Sequence, residues 1–445
     1  MKRCDPNKWE EYYKSRQVTA DEAVTHIKSG DTVVVGHAAG EPYILNAAMV
    51  RNKEAYRDVE IIHCVAMGKC EYCEPENAEY FRHNSWFAGV KSRKAITEGR
   101  ADFTACYLSQ MPDLMRNVIP RLDVFLVQVS PPDKHGYCSL GISVDYGVAA
   151  ASRASTIIAQ VNKNMPRTMG QSFIHVSDMD YFVLDDSPVI ELPRPEITEA
   201  EMAIGRNCAT LINDGDTLQL GIGSLPDAIL MFLKDKKDLG IHSEMISDGV
   251  MDLMKAGVVN NSKKTLHPGK VVIAFAMGTR EFYDFVDDNP AFLFVPGDYG
   301  NDPFVIAQND NMVSINSCVA VDFNGQFSSE SAGPKQISGV GGQVDFFTGA
   351  MRAKGGRNIM VIRSTTADES TSKIVPYFDE GTIVTTSRCL ADYVVTEYGI
   401  ATLRGKCSRL RGKELIKIAH PKFRDELIAK WEEIFKMKFD DEETV

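Results

Sequence analysis

Short apolar runs rich in β-branched residues recur along this chain, separated by longer stretches with helical spacing. Val33-Val-Val35 and Val124-Phe-Leu-Val127 are the clearest of these runs. With the runs at 59–64, 123–129, 156–161, 271–275, 359–362, 382–386 and 393–396, they predict strands. Runs that are apolar at every position fit mostly parallel sheets covered on both faces. Residues 414–437 are charged and periodic, which predicts one or two surface helices.

One pattern occurs twice. Val18-Thr-Ala-Asp-Glu22 and Ile197-Thr-Glu-Ala-Glu201 each open with capping-box spacing, Thr19 to Glu22 and Thr198 to Glu201, the mark of a helix start. Each continues through a glycine, Gly30 or Gly215, where a helix can end. Then come Gly-Asp-Thr, a strand, a glycine loop, and a proline that opens a second helix, Pro42 or Pro226. A repeat on this scale implies two homologous open α/β domains. The polar, proline-rich residues 185–196 are the expected linker, which divides the chain into 1–190 and 191–445.

Composition narrows the function classes. A chain of 445 residues exceeds one ordinary core, and 44% apolar with 25% charged residues is globular composition. The net charge of −12 opposes nucleic acid as a partner, since a polyanion needs a basic face. No stretch approaches the roughly 20 apolar residues of a membrane span. Nothing after Met1 reads as a signal peptide, so the cytoplasm is the expected location. Most of the ten cysteines, such as Cys64, Cys106, Cys208 and Cys318, sit in apolar runs that suit reduced thiols. Cys70-Glu-Tyr-Cys73 is a lone pair without the second set of ligands that zinc needs. It reads as two small loop residues, and no metal is expected.

The candidate chemistry lies in glycine loops and one carboxylate. Gly221-Ile-Gly223 follows a strand and precedes a helix, where backbone N–H groups can hold phosphate or an oxyanion. A tight turn that needs positive φ explains the same glycines. Gly339, Gly341 and Gly342 let a backbone approach something closely, or form a complex turn between strands. Gly355-Gly356 reads as a plain hairpin. Glu244, between apolar Ile241 and Met245-Ile246, is paired, exposed or held for chemistry. His37 and His135 fit ordinary loop histidines, and 133–136 has turn chemistry. Asn316, in an apolar run, orients a catalytic group or pins a loop.

Taken together, several long motifs resemble the family I CoA-transferases of the acetyl-CoA hydrolase/transferase group, nearest those acting on 4-hydroxybutyrate, butyryl-CoA and acetate. They are Val127-Gln-Val-Ser-Pro-Pro-Asp-Lys-His-Gly136, Ile174-His-Val-Ser177, Leu218-Gln-Leu-Gly-Ile-Gly-Ser-Leu-Pro-Asp-Ala228, Gly240-Ile-His-Ser-Glu-Met-Ile-Ser-Asp-Gly249, Lys335-Gln-Ile-Ser-Gly-Val-Gly-Gly-Gln-Val-Asp-Phe346 and Asp392-Tyr-Val-Val-Thr-Glu-Tyr-Gly-Ile-Ala401. They run nearly end to end. The resemblance implies two α/β domains of the CoA-transferase type, the second carrying the catalytic Glu244. It assigns Gly221, Ile222, Gly223, Ser224 and Leu225, with Gly341 and Gly342, to CoA and thioester binding. It places His37, Gln219 and Asn316 around the reacting carboxylates, and brings residues 36–42 to the site. The implied reaction passes CoA from a short-chain acyl-CoA to acetate through an acyl-glutamyl anhydride and a glutamyl-CoA thioester. Hydrolysis of a short-chain acyl-CoA is the alternative. The resemblance also implies CoA as substrate with no tightly bound cofactor, and a homodimer. It requires no cysteine at 70 or 73.

Overall fold

The computed structural model describes residues 3–440. Its first sheet has seven strands in the order Ala101–Phe103, Phe81–Ser85, Val59–His63, Thr32–Val35, Val124–Val129, Thr156–Asn162 and Tyr181–Asp185. Every pairing in it is parallel. Val124–Val129 is buried at every position, as a strand covered on both faces must be. The second sheet runs Gly240–Ile241, Thr217–Leu220, Met312–Ser317, Arg357–Val361, Tyr393–Thr396 and Gly399–Thr402. It is parallel up to its last pair, which is antiparallel.

The repeated segments take equivalent places. Helices Ala20–Val24 and Glu199–Ala209 both carry complete capping boxes. Each is followed by the strand at which its sheet changes direction of growth. Thr32–Val35 lies between Val59–His63 and Val124–Val129, and Thr217–Leu220 between Gly240–Ile241 and Met312–Ser317. In open α/β sheets the crevice beyond the carboxyl end of such a strand is where ligands bind. Those ends are residues 36–42 and 221–225. One apolar cluster takes Val34, Phe125 and Ile157 from the first sheet and Leu218, Ile241 and Val313 from the second, so the halves share a core. Among the described residues no helix is long and apolar enough to cross a membrane.

Four local expectations are corrected. Residues 382–386 form no strand. Thr386 makes only an isolated bridge to Phe327, and side chains take the bonds a ladder would use. The Ser329 N–H donates to Thr385 Oγ1 at 3.0 Å and the Ile383 N–H to Ser331 Oγ at 2.8 Å. Gly355 and Gly356 form no hairpin. They join helix Gln343–Arg352 to strand Arg357–Val361, because a parallel neighbour needs a helical crossover. The helix expected at Pro226 starts at Ser224. Of the two C-terminal helices, Ser408–Lys417 and Pro421–Phe435, the second is no mere surface element, since it buries Trp431 completely.

Candidate active site

The two carboxyl ends meet at one cavity of about 330 Å³. His37, Cys64, Val65, Phe87 and Leu108 line it from the first half. Gln219, Gly221, Ile222, Glu244, Asn316 and the loop 338–342 line it from the second. The halves are stitched together around it. The Leu108 N–H donates to Gly341 O at 3.0 Å, and the Ala276 N–H to Ile142 O at 2.8 Å.

Glu244 is the last of the three residues between strand Gly240–Ile241 and strand Met245–Ile246, and its backbone is fixed on both sides. The Ser243 N–H donates to Val272 O at 3.0 Å, and Ser243 Oγ donates to Met245 O at 2.7 Å. The Glu244 carbonyl accepts the Ala274 N–H at 2.8 Å and the Phe275 N–H at 3.2 Å. The run 271–275, expected as one strand, splits at Ala274, where the chain bends to make these bonds. His242 is fully buried, and its Nε2 lies 2.8 Å from the Gly300 carbonyl. That contact anchors the turn carrying Asn301. Asn301 Nδ2 in turn donates to Glu244 Oε2 at 2.8 Å.

Gly342 completes the cradle. It precedes helix Gln343–Arg352, whose N-terminus has no side-chain cap. The Gly342 backbone N–H lies against the Glu244 carboxylate and favours its charged form. The positive end of that helix therefore faces the carboxylate. A Cβ at position 342 would collide with Glu244 Oε2 and Asn301 Nδ2, so only glycine allows this approach.

Burial dominates the electrostatics and pushes Glu244 up to about 7, against the lowering effects of Asn301, His37 and Gly342. Asp345, one turn into the same helix, is also raised to about 7, chiefly by burial. It accepts from the Ser109 N–H at 3.1 Å and from Ser109 Oγ at 2.7 Å. The charge of Glu244 adds to the raising of Asp345.

Two predictions arise here. Asn301→Ala removes a donor to the ionised form, worth about 1.5–3 kcal/mol for a charged acceptor. The acidic limb of kcat/KM against pH is then expected to move alkaline by roughly one to two units. An unmoved limb would show that Asn301 does not hold the reacting carboxylate. The second prediction concerns stability. Glu244's folded-state value of about 7 lies above its ordinary 4.5. Its protonation therefore favours the fold, fully below the ordinary value, and that advantage is lost as pH rises through 7. Glu244→Gln is expected to gain on the parent protein by about 3 kcal/mol between pH 4.5 and 8 in denaturant unfolding. Parallel stability profiles for the two proteins would contradict it.

The other expected site residues divide. Gln219 and Asn316 face each other on adjacent strands. Asn316 Nδ2 donates to Gln219 Oε1 at 3.0 Å, and Gln219 Nε2 to Asn316 Oδ1 at 3.2 Å. Each thus pins the other at the cavity wall. Gly221, Ile222, Gly341 and Gly342 line the cavity. Gly223, Ser224 and Leu225 do not, and Ser224 Oγ donates to Glu201 Oε1 at 2.5 Å. The turn begins at the cavity and leaves it within two residues.

Of residues 36–42, His37 reaches the cavity. Its Nδ1 lies 3.1 Å from Asp145 Oδ2, which fixes the ring, and its buried Nε2 has no partner. Glu41 turns away, and its carboxylate accepts the Met67 and Gly68 N–H groups at 3.0 and 2.9 Å. His135 is exposed in a turn. Cys70 and Cys73 are buried with their sulfurs 3.2 Å apart, outside the cavity lining. Asn301, Asp145 and Ser109 were not singled out by sequence, because each acts through another side chain and carries no motif of its own.

Known proteins resemble this chain over nearly its whole length. The acetyl-CoA hydrolase/transferase N-terminal domain matches residues 1–192, and its C-terminal domain matches residues 278–431. A 4-hydroxybutyrate coenzyme A transferase of Clostridium kluyveri is 57% identical over 96% of this chain and 100% of its own. A butyryl-CoA:acetate CoA-transferase of Anaerostipes caccae is 38% identical over 94% of this chain and 95% of its own. The crystal structure of RipA from Yersinia pestis superposes with a TM-score of 0.91 at 36% identity, covering 96% of this chain and all of that one.

Proposed function

The chain belongs to the acetyl-CoA hydrolase/transferase family, and on that premise we propose that it is a CoA-transferase exchanging CoA between a short-chain acyl-CoA and acetate. The acyl group we assign is 4-hydroxybutyryl or butyryl, after the Clostridium and Anaerostipes relatives. One observation carries the reading. A desolvated carboxylate, Glu244, is held by Asn301 and Gly342 in a cavity where both sheets present their carboxyl ends.

In the proposed reaction a Glu244 oxygen attacks the thioester carbonyl. The C–S bond breaks, and CoA leaves as thiolate with the electron pair. The product is an acyl-glutamyl anhydride. The thiolate then attacks the glutamyl carbonyl, releasing the acyl group as its carboxylate and leaving a glutamyl-CoA thioester. Acetate runs both steps in reverse and departs as acetyl-CoA. Every nucleophile and leaving group is already an anion, so the cycle moves no net proton and calls for no further cofactor. Splitting one hard exchange into two easier ones is the gain.

The residues supply positioning, dipoles and dryness. Orientation of a weak nucleophile can contribute about 7–11 kcal/mol. The backbone at Gly221 and Ile222 faces the cavity and is our candidate for holding the tetrahedral oxyanion. Loss of one such donor typically costs about 2.7–4 kcal/mol. Phe87, Leu108, Phe275, Met277 and Phe346 make much of the wall apolar, which protects anhydride and thioester from water. We assign the cytoplasm and a homodimer to this enzyme as the setting that goes with the family.

Transfer and hydrolysis separate in one assay. With butyryl-CoA or 4-hydroxybutyryl-CoA plus acetate, acetyl-CoA is expected to form while free CoA stays low. Free CoA released at the same rate without acetate would make the protein a hydrolase instead.

A further inference from the structure

Asp345 is buried, yet it forms no part of the cavity wall. It lies in the first turn of helix Gln343–Arg352, three residues past Gly342. Donors converge on it from both halves of the chain. Ser109 of the first half gives two, its N–H to Oδ2 at 3.1 Å and its Oγ to Oδ1 at 2.7 Å. The Asn301 amide of the second half also lies against Asp345 and favours its charged form. A carboxylate only accepts, and an amide nitrogen carries two hydrogens. Asn301 Nδ2 therefore serves two carboxylates, Glu244 Oε2 at 2.8 Å and Asp345. Its rotation is fixed from both sides, and its buried Oδ1 is left without a partner. Both oxygens of Asp345 are in use, so an asparagine there would turn an NH2 group against one of the Ser109 donors.

The backbone of Asn301 leans on the first half as well. Its N–H donates to Gly297 O at 2.9 Å and closes the short helix Gly297–Gly300. The Gly297 N–H donates to Asp145 O at 2.8 Å. Gly297 packs so closely on Leu108 that a Cβ there would come within 2.7 Å of Leu108 Cδ2. Asp298 Oδ2 accepts from Arg116 Nη1 at 2.6 Å. Leu108, Ser109, Arg116 and Asp145 belong to the first half, and Glu244, Asn301 and Asp345 to the second. A junction held for stability alone has little use for a buried carboxylate, whose charge is costly to bury unless fully hydrogen-bonded. Here one of the groups that satisfies it is the same amide that holds the nucleophile.

We propose that Asp345 is a positioning residue that fixes the Asn301 amide against Glu244 and ties that setting to Ser109, so that the first half of the chain helps to aim a nucleophile carried by the second. The inference rests on the transferase reading. Asp345→Asn, Ser109→Ala and Ser109→Thr test it, with Asp345→Asn made both in the parent protein and in an Asn301→Ala background.

Asp345→Asn is expected to lower kcat by about 10- to 10²-fold, with KM for acyl-CoA close to the parent's. In the Asn301→Ala background the same substitution is expected to cost less than about twofold, because the group it acts through is gone. Ser109→Ala is expected to lower kcat several-fold, and Ser109→Thr, which keeps both donors, to match the parent. An unchanged kcat in Asp345→Asn, or the same full loss in both backgrounds, would overturn the assignment. If Asp345→Asn does not fold, the serine pair decides, and equal losses in Ser109→Ala and Ser109→Thr would overturn it. Hydrogen exchange in peptides spanning 105–111 and 338–347 needs no turnover and separates the two readings. If Asp345→Asn speeds exchange in both peptides while the parent transfers no CoA, the transferase reading fails and the junction contact stands. If the parent transfers CoA and exchange in the variant is unchanged, the positioning role fails alone.

Discussion

Glu244→Ala is expected to lower kcat for CoA transfer by about 10⁴-fold or more, the scale seen when a covalent nucleophile is deleted. No neighbour can take its place. Asp345 lies on the same helix as the glycine loop, but its oxygens are held by Ser109 across the junction. Asp145 is turned to His37, Ser143 and the Tyr146 N–H. The variant should fold, because the backbone bonds around position 244 run through Ser243, Ala274 and Phe275 and need no side chain there. Glu244→Asp tests position separately. Withdrawing the carboxylate by one methylene misplaces it by more than an ångström, and about 10²-fold of kcat should go with it. Steady-state kinetics with acyl-CoA and acetate check both. A Glu244→Ala protein within tenfold of the parent would remove Glu244 from the chemistry.

Gly342→Ala is the second large effect, expected to cost roughly 10²-fold in kcat. The backbone there has φ of −97°, so alanine brings no backbone strain. Its methyl would instead displace the Glu244 carboxylate and the Asn301 amide together. The loss should therefore fall on kcat, with circular dichroism unchanged. Gly221→Ala makes the contrast. Its nearest prospective neighbour is Pro226 Cγ at 4.0 Å, and alanine keeps the N–H proposed for the oxyanion. That variant is expected to stay within a few-fold of the parent. Equal losses at 342 and 221 would mean that the glycines matter for general loop shape and not for the approach to Glu244.

The sequence was most legible where local rules and pattern agreed. The capping boxes at Thr19 and Thr198 and the Gly-Asp-Thr strands appear where the repeat placed them, because each depends on residues three or four apart. The same repeat put His37 and Gly221 at matching strand ends, and the structure brings those ends to one cavity. What stayed hidden depends on distant partners. Asn301 reaches Glu244 across 57 positions, and Ser109 reaches Asp345 across 236. Neither has a local signature. The run 382–386 misled because β-branched residues also suit an irregular segment whose hydroxyls accept backbone N–H groups. Ser224 looked like part of the glycine loop, yet its hydroxyl belongs to the capping carboxylate Glu201, a second use of one residue that spacing alone does not reveal.

The most direct test of a covalent Glu244 is mass spectrometry of protein incubated with butyryl-CoA or 4-hydroxybutyryl-CoA in the absence of acetate. The prediction is a CoA adduct on the peptide that contains Glu244, lost on adding acetate as acetyl-CoA appears, and absent from Glu244→Ala. Full transfer activity with no adduct on that peptide would contradict the account.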